Sequence, residues 1–178
     1  MKKILTIALL TIAFAANAQQ VTQGSLDFMK NVKAITLEFN FNDAYITDAN
    51  MNVLEWGVEH DKMYHRAEGV FNAELQTACE RELRTFADRA AKKMKDIQFV
   101  WNGNAPVKMT MQLRATNKRG QHANADYIFT DTTTGQVLAI INCETKGGRY
   151  GGYANLLDDC LKSAFGKVIN MMDNAHKK

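Results

Sequence analysis

Two hydrophobic periods divide the chain into elements. Ile35, Leu37, Phe39 and Phe41 alternate with Thr36, Glu38 and Asn40, the pattern of a strand with one face on a core and one in water. Between 63 and 95 the period becomes helical. Phe71, Leu75, Cys79, Leu83, Phe86, Ala90 and Met94 recur at three- and four-residue steps, and Ala78, Ala87 and Ala91 widen the stripe. Gly69 weakens the start, which places the ordered helix nearer Val70. Period two returns at Ile97, Phe99 and Trp101, at Val107, Met109, Met111, Leu113 and Ala115, and at Ala123, Ala125, Tyr127 and Phe129. Pro106 opens the second of these strands, where its missing N–H is tolerated.

The stretch 131–172 closes the pattern. Asp131 and Gly135 mark a tight turn. Val137, Ala139, Ile141 and Cys143 then point one way and Leu138 and Ile140 the other, so the strand is apolar on both faces, as in a sheet interior. After a glycine-rich loop at 147–152, Leu156, Leu157, Cys160, Leu161, Ala164, Phe165, Val168, Met171 and Met172 form one wide helical stripe.

The order is therefore β-α-β-β-β-α. Two amphipathic helices need one sheet face to cover, which predicts an α/β (α+β) two-layer sandwich: a mostly antiparallel sheet of about four to five strands with both long helices on one face. Residues 33–178 read as a single domain. Residues 19–32 are polar without a sustained period and read as a flexible arm, although Leu26, Phe28 and Met29 can dock. Residues 42–60 are long for a connection and carry Tyr45, Ile46, Val53, Leu54 and Trp56, as a small extra strand or a packed loop would.

Residues 1–18 have the charged start (Lys2, Lys3), short apolar core and small-residue end (Ala16, Asn17, Ala18) of a secretory signal peptide. No later segment approaches the roughly 18–20 apolar residues of a membrane span, and no cysteine follows the cleavage position to carry a lipid anchor. The expected location is the periplasm or the cell exterior. Removing Lys2 and Lys3 takes the formal charge from +3 to +1, which gives no electrostatic reason to expect nucleic acid. The basic patches Lys92-Lys93-Lys95 and Arg114-Lys118-Arg119 read as solvated faces. Cys79, Cys143 and Cys160 each lie in register with an apolar stripe, as buried thiols do; Cys143 with Cys160 is a bridge that the pattern leaves open.

Candidate chemistry is sparse. The loop Gly147-Gly148-Arg149-Tyr150-Gly151-Gly152 joins a strand end to a helix start, where backbone amides can hold an anion. It lacks the spacing of a P-loop or a dinucleotide fingerprint, so any specific contact falls to Arg149 and Tyr150, with Gly148 and Gly151 giving access. Asp61, His65 and Glu68 share a face if the first helix starts early, a spacing able to hold a divalent metal. Ile128, Leu138 and Ile140 form an apolar cluster on the uncovered sheet face. No acid/base pair or activated nucleophile stands out, and no cofactor is implied.

The strands at 107–116 and 122–131, the Asp131-x-x-x-Gly135 hairpin, the strand at 136–144, the 147–152 loop and Ala164-Phe165-Gly166 together resemble bacterial envelope-protein domains related to the periplasmic domain of the curli-export lipoprotein. Two departures are the missing lipidation cysteine and the lack of long alternating segments for a membrane barrel. The resemblance implies an accessory or binding part of envelope assemblies. The expectation is an exported, non-enzymatic binding protein that contacts an envelope protein, or a second copy of itself, through the open sheet face and the glycine loop. The alternative is a metal-dependent hydrolase at Asp61, His65 and Glu68, with 42–60 as a lid.

Overall fold

The computed structural model describes residues 19–101 and 103–178, so the expected signal peptide lies outside the described residues. In chain order the elements are β1 (Gln19–Gly24), a 3-10 turn (Leu26–Lys30), β2 (Ala34–Asn40), β3 (Tyr45–Ile46), β4 (Met51–Asn52), α1 (Val53–Met63), α2 (Val70–Lys93), β5 (Gln98–Trp101), β6 (Val107–Thr116), β7 (His122–Asp131), β8 (Val137–Lys146) and α3 (Tyr153–His176). All strands join one sheet in the order β1-β8-β7-β6-β2-β5, with β3 beside β6 and β4 beside β3.

The antiparallel meander β6–β7–β8 follows from the alternation. Met111 pairs with Tyr127 and Tyr127 with Ile141, so their row and the rows of Met109 and Leu113 bury side chains on one face. Helices α2 and α3 cover that face. Phe86 of α2 packs its ring edge-on to Phe165 of α3, at 5.3 Å, and stacks on Tyr127 at 6.3 Å.

The expectation of a mostly antiparallel sheet of about four to five strands is corrected here: among the described residues the sheet has eight strands and is mixed. Strand β2 runs parallel to both β5 and β6. The chain leaves β2, crosses the helical layer through α1 and α2, and returns as β5 in the same direction, as a helical crossover requires. It then passes over β2 to begin β6. Gly103 accepts a 3.0 Å hydrogen bond from the Thr36 hydroxyl on the way, and Thr36 is buried. Period two reports which face a residue takes and says nothing of strand direction.

Residues 19–24, expected in the arm, are edge strand β1 against β8, with Val21 opposite Ile141. Leu26 and Met29 follow into the core, and Phe28 rests on Phe129 at 5.4 Å. All three cysteines are buried and free, so the Cys143–Cys160 bridge is not formed.

Candidate functional site

A groove of about 900 Å³ opens where α1, the start of α2, the β6–β7 hairpin tip and the start of α3 converge. Its first wall is α1, which a capping box starts. The Asn52 side chain accepts the Leu54 N–H at 2.7 Å, and the Glu55 carboxylate accepts the Asn52 N–H at 3.2 Å. Starting there puts Trp56, His60 and Tyr64 on successive turns of one face. His60 lies 6.2 Å from Trp56, 4.7 Å from Tyr64 and 4.8 Å from Phe71 between ring centroids. Phe71 then meets Tyr153 at 4.8 Å, carrying the aromatic wall from α1 across α2 to α3.

The junction of α1 and α2 rests on Asp61. Gly69 begins α2 without a side-chain cap, and the buried Asp61 carboxylate takes that role by accepting the Phe71 N–H, at 3.1 Å to each oxygen. Arg66 approaches Asp61 at 3.4 Å and reaches on to Glu74 at 2.7 Å.

The opposite wall depends on close backbone approach. A Cβ on Gly120 would lie 2.5 Å from the Tyr153 carbonyl, and Gly120 has φ of +74°. The bare glycine lets the hairpin tip touch α3 and sets Lys118 and Arg119 at the groove. The glycine loop works alike: a Cβ on Gly147 would meet the Leu156 carbonyl at 2.4 Å, and one on Gly148 the Asp159 carboxylate at 2.7 Å. These glycines let the loop lie against α3.

The groove is cationic. Arg66, Lys118 and Arg119 line it against a single carboxylate, Glu74, which Arg66 already engages. The first turn of α3 has no side-chain cap and no acidic residue, so its amides present the positive end of a 24-residue helix. Burial pushes His60 below the ordinary imidazole value of 6.5, so it is neutral at pH 7. Trp56 is 7% exposed, its indole N–H has no acceptor among the described residues, and Lys118 lies over its ring at 5.4 Å.

The residues picked out from the sequence are dispersed. Gly151 lines the groove and Gly148 packs on α3, whereas Arg149 and Tyr150 are exposed on the loop, Tyr150 at 93%. Ile128 and Ile140 form a direct cross-strand pair on the open face, flanked by Thr110 and Gln23. Leu138 leaves that patch. A bulge sets Val137 against Thr130 and Ala139 against Phe129, and Leu138 packs on the core. Asp61 is committed to Phe71 and Arg66, while His65 sits beyond α1 at φ +52° with Glu68 exposed in the turn before α2. The shared helical face assumed for these three is absent, and among the described residues no group of three or more His, Cys, Asp or Glu side chains is placed to hold a metal ion. Burial pushes the Cys143 and Cys160 thiols up to about 11, and Cys79 is also raised, so none is an activated nucleophile.

Trp56, His60, Tyr153, Lys118 and Arg119 went unselected in the sequence. A signal for the first two was present: Asn52-x-x-Glu55 ahead of Trp56 is a helix-start signature. Lys118 and Arg119 gave none, because only the folded hairpin brings them to α3.

No family model matches the chain, and no curated protein matches it. Among solved structures, a variant of the PelC dodecamer from Paraburkholderia phytofirmans aligns with TM-score 0.45 and 11% identity over 87% of this chain and 95% of that one. A second PelC dodecamer from the same organism gives 0.45 and 9% over 87% and 96%. A protein described only as uncharacterized gives 0.41 and 8% over 82% and 90%. The likeness these comparisons give is thus a weak one in structure, to PelC and to an uncharacterized protein, with no match to a sequence family. Among the described residues no helix is long and apolar enough to cross a membrane.

Proposed function

We propose that the chain is an exported, non-enzymatic binding module of the bacterial cell envelope, and that its ligand enters the groove between α1, the β6–β7 hairpin and the start of α3. The observation that carries this reading is Trp56, whose indole N–H is buried in the groove wall without an acceptor. A buried donor left unpaired costs about 1–3 kcal/mol, and a ligand acceptor would recover part of that once the indole turns its covered nitrogen toward the groove. The groove's size and aromatic lining fit a small-molecule site. Binding is favoured over catalysis by how the titratable groups are used: the two carboxylates whose charge acts on His60, Asp61 and Glu74, both serve Arg66. Neither is free to act with the imidazole as a base or acid. Export rests on the leader-like pattern of residues 1–18.

With Trp101→Phe as background, Trp56 is the sole indole. Titrating that protein with N-phenylnaphthylamine or anilinonaphthalene sulfonate should quench Trp56 emission saturably, with energy transfer to the probe. Emission unchanged by both probes overturns the groove as a binding site. Independently, protein made in a bacterial host with its leader should be recovered from the envelope fraction starting at Gln19 by mass spectrometry. A chain that retains residues 1–18 in the cytosol overturns the export part of the reading.

A further inference from the structure

We infer that the groove selects a small organic anion, its acidic group held on the first-turn amides of α3 between Lys118 and Arg119 and its apolar body against Trp56 and Tyr153. This rests on the groove being a binding site, and adds the class of ligand.

Three observations meet there. The first amides of any helix lack intrahelical acceptors. At α3 neither a side chain of Gly152 nor an acid in the first turn supplies one, and residues 151–155 line the groove. Lys118 and Arg119 line the groove together with those residues, and among the described residues neither side chain enters an ion pair, unlike Arg66, which is held by Asp61 and Glu74. Trp56 adds the buried, unpartnered indole donor. The first-turn amides and the indole donate hydrogen bonds, and Lys118 and Arg119 carry positive charge, so the complementary ligand accepts and is negative. The volume sets the rest. About 900 Å³ is far more than an inorganic ion fills, and the aromatic rings on one side call for a flat apolar body attached to the anionic group.

The two probes above separate these requirements, because they share one ring system and differ in the sulfonate. Anilinonaphthalene sulfonate should bind about tenfold or more tighter than N-phenylnaphthylamine at low salt, with the difference shrinking as salt rises. Lys118→Glu with Arg119→Glu should remove that advantage, lowering sulfonate affinity far more than that of the neutral probe. Gly152→Asp is a second, fold-preserving test. Its backbone, at φ −76° and ψ 166°, suits an N-cap aspartate, and no atom lies within 4 Å of the added Cβ. The variant should melt no lower than the parent, yet lose about tenfold in sulfonate affinity because its own carboxylate occupies the amides. Equal affinity for the two probes, or sulfonate binding untouched by the Gly152→Asp and charge-reversal variants, overturns the anion assignment while the groove stands. Failure of both probes to reach Trp56 overturns the groove itself, and the anion with it.

Discussion

Asp61 and His65 mark where a single residue decides how the chain turns. The Arg66 N–H reaches the Asp61 carbonyl at 2.8 Å and the His65 N–H the Lys62 carbonyl at 3.2 Å, the bond pattern of a Schellman motif with its left-handed position at His65. That position favours glycine, since a Cβ there crowds the next carbonyl by about 1–2 kcal/mol. The exposed His65→Gly variant should therefore be stabilised by about 1 kcal/mol in urea unfolding. Asp61→Ala should act the other way. It strips the buried Phe71 N–H of its acceptor and Arg66 of its partner, a loss of about 2 kcal/mol, of which Asp61→Asn should recover part. Were Asp61 held for metal binding instead, Asp61→Ala would cost little stability in metal-free protein.

At the scale of elements, two hairpins separate a turn's own strain from its docking. Gly120 and Gly135 have nearly the same φ, +74° and +72°, but a Cβ on Gly135 would meet nothing within 4 Å, whereas one on Gly120 strikes α3. Gly135→Ala should cost about 1 kcal/mol, the left-handed strain alone. Gly120→Ala should cost about 2–3 kcal/mol and also weaken probe binding, because the tip carrying Lys118 and Arg119 must lift from α3. Thermal unfolding of the pair reads the difference. The same contrast shows what the sequence could convey. The meander β6–β7–β8 and the helices α2 and α3 were legible, since each buries a face deep enough to impose its period on Met109–Leu113, Tyr127, Leu83 or Phe165. Strand β1 was not, because an edge strand with Val21 38% exposed buries too little to need alternation. The parallel course of β2 was hidden since period two is blind to direction. At the site, the backbone-bearing glycines could be seen, but the groove's cations come from a hairpin tip remote in sequence, which only tertiary contact assigns.

Across the whole molecule, the charged groups set how stability varies with pH. Asp27, Asp96, Asp131 and Asp173 all lie below their ordinary 3.8, held down chiefly by the Ser25 hydroxyl, His176, the Thr134 amide and Lys177 respectively. Their contribution is present above 3.8 and is lost as pH falls through their folded values. Glu82 runs against them, raised above 4.5 by burial and then by Asp158, so ionising it costs stability. Near neutrality two histidines oppose each other. Burial lowers His60, whose contribution is present above 6.5 and lost as pH falls through its folded value. His176 is raised, first by the Met29 carbonyl and then by Asp96. Its Nδ1 lies 2.7 Å from the Met29 carbonyl and its Nε2 2.8 Å from the Asp96 carboxylate, oxygens that only accept, so both bonds require the doubly protonated ring. They tie the end of α3 to the 3-10 turn and to the α2–β5 connection, with Lys33 also on Asp96 at 3.2 Å. That contribution is complete below 6.5 and is lost as pH rises through the folded value of His176. His176→Ala should thus lose about 1–2 kcal/mol at pH near 6 and clearly less at pH near 9, measured by urea unfolding at each pH. Between those points the variant, which keeps the lowered His60 but lacks the raised His176, should gain stability relative to the parent. A loss equal at both ends would mean that His176 acts by packing and not by its charge.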